Sequence, residues 1–137
     1  MLAFVAVGTA LVFTAATADQ ATPLTAVYVF SFVERDGPWN IWEGTGSGTV
    51  VGPSTVANRV RISGSKAEGT ATITAANGDL LDYEFTQTFD EATGSWTGPF
   101  TIVGGTGRFA DATGGGTTVA KVVGGIGTGS LDGTISF

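Results

Sequence analysis

Few residues in this chain can do chemistry. It contains neither cysteine nor histidine, which removes thiol nucleophiles, disulfides, His-dependent triads and the usual zinc ligand sets. No metal site and no cofactor are therefore expected. Carboxylates, two tyrosines and six Lys and Arg remain. With that inventory, the chemistry to look for is proton movement by a pocket carboxylate with aromatic walls, its pKa raised by burial. Glu43 shares a strand face with Trp39 and Ile41, and Glu34 continues the face of Tyr28, Phe30 and Phe32. Arg59 and Arg61 share a face and could bind an anion or pair with Glu43. Each of these charges reads more readily as a solvated group near a strand end, so Glu43 and Glu34 are weak candidates and no catalytic residue is assigned.

The elements that would position these groups are strands. Eight β-like runs cover Leu24–Glu34, Trp39–Val51, Val56–Gly64, Ala67–Ala76, Asp79–Asp90, Ser95–Val103, Gly116–Val123 and Gly127–Phe137, with no helical run between them. Asn77-Gly78 predicts a tight type I′ hairpin, and Gly52-Pro53 predicts a break. In Asp79–Asp90, Leu81, Tyr83, Phe85 and Phe89 alternate with Asp82, Glu84, Thr86 and Thr88, giving one core face and one wet face. Leu131, Gly133, Ile135 and Phe137 repeat that pattern. Eight short strands at this spacing predict an all-β domain, an eight-stranded antiparallel up-and-down barrel. Tyr28, Phe30, Phe32, Trp42, Tyr83, Phe85, Trp96 and Phe100 lie on the more aromatic faces and are expected to converge inside as the ligand-binding surface. Gly44, Gly46 and Gly48 form a strip without side chains, which a facing aromatic, a bend or a ligand must fill.

A glycine-rich connection organises the fold. Phe100 to Val103 leads into Gly104-Gly105-Thr106-Gly107-Arg108-Phe109-Ala110-Asp111-Ala112-Thr113-Gly114, and a further strand leaves it. Phe109 is its one large apolar residue and is expected to plug the connection onto the core. Arg108 and Asp111 stand at a spacing that suits a local ion pair. A phosphate loop would need a helix directly after the glycines, and three more glycines follow instead. The pattern Gly-Gly-Thr-Gly-x-Phe-x-x-Ala-x-Gly between two strands resembles the allene oxide cyclase and dirigent-type barrels, especially their short secreted bacterial members. The resemblance is clearest from about Gly69 to Phe137, where Ala71 to Asp79 and Leu131 to Phe137 also fit. It implies an eight-stranded allene oxide cyclase-like or calycin-like barrel, trimeric in many plant members. Gly104, Gly105, Gly107, Phe109 and Gly114 match structural positions of that family. Function follows less directly, because this barrel hosts cyclases, radical-coupling guides and proteins of other roles.

Composition narrows the partners. The 137 residues suit one domain, and 12 Asp and Glu against 6 Lys and Arg give a net charge of −6. So acidic a chain lacks the electrostatic footprint for nucleic acid or for an anionic membrane surface. Leu2 to Phe13 is an uncharged apolar run followed by Ala16-Thr17-Ala18. It reads as a secretory signal over 1–18, leaving a barrel domain over 19–137 in an extracellular or periplasmic space, with no membrane contact in the mature form. In the first strand Val27, Val29 and Val33 oppose Tyr28, Phe30 and Phe32. A strand apolar on both sides predicts a homo-oligomer, dimer or trimer, covering the outer side. Three functions follow: binding of a small hydrophobic molecule in the barrel, a cofactor-free cyclase or isomerase, and a self-associating structural or cell-surface protein. Binding ranks first, because a barrel interior is a ready cavity while the ionisable groups are scattered. An interior cavity of roughly 300 Å³ or more, with or without an ionisable group in it, would separate the three.

Overall fold

The computed structural model describes residues 21–137; the secretory-signal reading of 1–18 lies outside them. Eight antiparallel strands close into one up-and-down barrel. They are β1 (Thr22–Asp36), β2 (Trp39–Gly48), β3 (Gly52–Ser63), β4 (Lys66–Thr74), β5 (Leu80–Asp90), β6 (Ser95–Gly105), β7 (Thr113–Val123) and β8 (Ile126–Ser136). β8 pairs with β1 from Thr22↔Ile135 to Ser31↔Ile126, so no strand edge is left open along that seam. The alternation decides the sides. Leu81, Tyr83 and Gln87 of β5 and Leu131 and Ile135 of β8 are buried inside, while Glu84 and Asp132 are exposed.

Several local expectations change. β3 starts at Gly52 rather than Val56, with Pro53 near its beginning, where a missing N–H is tolerated. β7 starts at Thr113, so Gly114, Gly115 and Gly116 belong to the ladder with β8 and the glycine connection is shorter than its composition suggests. Asn77-Gly78 does not form a type I′ turn. Gly78 donates to the Ala75 carbonyl at 2.9 Å, the Asp79 N–H bonds the Asn77 side chain at 3.0 Å, and of the two central residues only Gly78 has positive φ (92°). The hairpin itself forms, from Thr74↔Leu80 onward.

The two barrel ends differ. One end carries the connections after β2, β4 and β6, and it is plugged. A short 3-10 turn, Gly107–Phe109, drops the fully buried Phe109 ring into the core with Leu24, Val51, Ile73, Leu81 and Ile135. Its ring meets Phe137 edge-on at 5.5 Å. Arg108 does not pair with Asp111. It reaches Asp79 at 3.8 Å and donates to the Val50 carbonyl at 2.5 Å, tying together three separate connections. Gly107 has φ of 58°, and a Cβ there would overlap the Asp79 carboxylate, so this corner requires glycine. The opposite end carries the turns after β1, β3, β5 and β7, and no segment among the described residues crosses it.

Candidate functional site

The half of the barrel toward the unplugged end holds a hollow of about 90 Å³. Its walls include Tyr28, Phe30, Trp42, Tyr83, Phe85 and Trp96, six of the eight aromatics expected to converge. The other two sit nearby. Phe32 stands half exposed at the rim and packs edge-on against Trp42 at 5.6 Å, while Phe100 is buried against Tyr83 at 5.6 Å. Val60, Ile62, Ala120 and Val122 complete the apolar lining. Ile62 and Val122 also meet solvent, so an apolar path leads from the rim inward.

The volume falls short of the roughly 300 Å³ common for pockets that enclose a drug-sized ligand. Part of the reason is the glycine strip. Ala26, Tyr28 and Phe30 of β1 lean over Gly48, Gly46 and Gly44, and a Cβ at Gly46 would overlap the Val27 carbonyl. The strip is therefore filled by a facing strand. It is not the source of the free space, and a large residue at Gly46 would strike backbone instead of blocking a cavity.

The carboxylate candidates do not reach this hollow. A bulge separates Phe32, opposite Trp42, from Glu34, opposite Ile41. The extra residue, Val33, shifts the parity of the strand, so Glu34 leaves the Tyr28–Phe32 face and turns to solvent. Glu43 keeps the face of Trp39 and Ile41, but that face is the outer one; Glu43 is exposed opposite Ser31 and Ala57. Arg59 and Arg61 also lie outside. They pair with Asp36 (3.6 Å) and Glu68 rather than with Glu43, and their guanidinium groups lie 4.7 and 5.1 Å from the Trp39 ring centroid.

Two ionisable groups do line the hollow, both tyrosines. Burial pushes the Tyr28 hydroxyl pKa up, with a hydrogen bond to Ser54 pulling weakly the other way. The Tyr28 and Ser54 hydroxyls lie 2.7 Å apart in a bond that either can donate, and the Ser54 hydroxyl is also 3.0 Å from the Gly52 carbonyl. Tyr83 is pushed further up by burial, and then by its proximity to Tyr28. Both stay neutral across the physiological range. They can donate a hydrogen bond, but they are poor bases.

Asn58, Gln87 and Thr118 also line the hollow and were not singled out from sequence. Strict parity was the available signal. Asn58 falls in step with Val56 and Val60, Gln87 with Tyr83 and Phe85, and Thr118 with Ala120 and Val122. The chain matches no family model, no curated protein and no solved structure.

Proposed function

We propose that this chain is a binding protein that takes the apolar end of a small molecule into the unplugged half of its barrel. The carrying observation is the hollow itself, walled by Phe30, Trp42, Phe85 and Trp96, in the half of the barrel opposite the Phe109 plug. Its size favours a ligand one ring or one alkyl chain wide. A cyclase or isomerase would need a group able to accept a proton beside the substrate. Glu43 and Glu34 face outward and the two lining tyrosines are held neutral, so binding is better supported than turnover. The barrel architecture supports the resemblance to allene oxide cyclase and dirigent-type proteins at the level of fold. For export, the support is the apolar run and the A-x-A pattern over 1–18.

Toluene is a suitable first probe. It should change the fluorescence of Trp42 and Trp96 saturably, and Ala120→Leu, which adds atoms into the hollow, should reduce the affinity at least tenfold, about 1.4 kcal/mol. The melting temperature of that variant should stay close to the wild type. A linear, non-saturating response, or equal binding by Ala120→Leu, would remove the basis of the proposal.

A second reading, self-association, is favoured by the outer side of β1. Val27 and Val29 are 63% and 53% exposed, and the cross-strand neighbours Thr45, Ser47, Thr128 and Ser130 carry no charge. A second copy of the chain could cover this strip, with Glu43, which shares an outer recess with Val29 and Thr45, at its margin. Light scattering should then show an oligomer that Val29→Lys converts to a folded monomer. A wild-type monomer at high micromolar concentration counts against it.

A further inference from the structure

The hollow is apolar over most of its wall, yet beside the two tyrosine hydroxyls the side chains of Asn58, Gln87 and Thr118 interrupt it. Gln87 on β5 and Thr118 on β7 are each only 7% exposed, and Asn58 on β3 is half buried. Gln87 and Thr118 meet across β6 because the residue between them is Gly98. Gly98 is opposite Thr118 in the ladder and lies against the Gln87 backbone, and it has no side chain to separate the two. The Gln87 amide donates to the Thr118 hydroxyl over 3.5 Å, at the outer limit for a hydrogen bond. Among the described residues this is the one side-chain hydrogen bond either makes, and Asn58 makes none.

A primary amide has two N–H donors and a carbonyl with two lone pairs. One long bond leaves most of that capacity unused, and no buried side-chain N or O among the described residues lacks a partner, so the unused amide atoms of Gln87 and Asn58 are accessible rather than sealed in the wall. They are free to meet a ligand group, which leucine or valine at these positions could not do. The polar groups also border the apolar-walled recess that leads inward from the open rim.

We infer that Gln87, Thr118 and Asn58 form a polar recognition site inside the hollow, selecting a neutral single-ring ligand that carries a carbonyl, carboxamide or hydroxyl group. The inference rests on the binding reading above and specifies its ligand class. A hydrocarbon would leave the amides as they are, with no gain from the polar groups. An anion would fare worse. No Lys or Arg lines the hollow and both lining tyrosines are neutral, so a carboxylate would lose its hydration without a counter-charge. A neutral carboxamide can give and accept hydrogen bonds with an amide side chain while its ring rests on Phe85 and Trp96.

Toluene, benzamide and benzoate share one ring and differ in the group that tests the idea. Calorimetric titration of the full chain should rank benzamide about tenfold tighter than toluene, with benzoate weakest. Gln87→Leu should bring benzamide down to the toluene affinity and leave toluene unchanged or slightly tighter. Thr118→Val should act in the same direction by a smaller factor, and it decides the question if Gln87→Leu does not fold. Equal wild-type affinities for toluene and benzamide would overturn this inference while leaving the binding reading intact. Benzoate binding most tightly would overturn the neutral-ligand selection. Absence of binding by all three would overturn the binding reading, and this inference with it.

Discussion

Replacing Phe109 with alanine is expected to destabilise the barrel by about 3–5 kcal/mol, the range for deleting a fully buried aromatic ring. For a domain of this size that corresponds to a fall in melting temperature of roughly 10–20 °C. The effect should be large because the ring closes one end of the barrel. It is fully buried, packs edge-on against Phe137, and is held down by the Arg108 latch to Asp79 and Val50. Removing it leaves a cavity between strands whose backbone is fixed on all sides by the closed ladder, so little collapse can compensate. Chemical denaturation should show an earlier midpoint with an unchanged slope. A loss below about 1 kcal/mol would mean that the connection does not seat in the core.

The second large effect is alkaline. Burial raises the pKa of Tyr83 above the ordinary 10.0, so the folded barrel keeps that proton to higher pH than the unfolded chain does. The contribution is fully present below pH 10 and is lost as pH rises through the folded value. Above pH 10 the unfolded state releases the proton first, and stability falls by up to about 1.4 kcal/mol per pH unit for this one group. Tyr28, also raised, adds to the slope. Tyr83→Phe should flatten the decline measured by urea midpoints between pH 9 and 12, with little change at pH 7. Parallel curves for the two proteins would show that the Tyr83 hydroxyl is solvated.

Apart from the first, apolar on both sides, the strands were legible because one side of each is apolar and the other polar or small. Period-two alternation places Leu81, Tyr83, Phe85, Leu131 and Ile135 inward with no further information, and a closed ladder of eight follows from the turn spacing. The ladder shifts register at two points, between Phe32 and Glu34 and between Asp82 and Tyr83, and parity failed for a candidate residue at the first. The bulge at Val33 inserts a residue with no compositional mark, and everything after it, Glu34 included, changes sides. The polar wall of the hollow was missed for the opposite reason. Asn58, Gln87 and Thr118 obey parity, but a polar residue in an inward position is read by habit as an exception, although the fold makes it part of a surface. Trp39 shows a third limit. Its face, shared with Glu43, read as a candidate pocket wall, and the ring is instead partly covered on the outside by Arg59 and Arg61.

The described chain enters β1 beside the C-terminal end of β8, and both lie at the end sealed by Phe109. A surface, a tag or a fused domain joined at either side of residues 21–137 would therefore sit behind the plug. The aromatic mouth would then point away from whatever holds the protein. An immobilised barrel would present its hollow outward whichever terminus is used, and two barrels joined in tandem would have their mouths free of the linker. With a strand count that is even and an up-and-down order, the start of β1 and the end of β8 must emerge on one side, so the orientation is a property of the topology and survives changes of sequence.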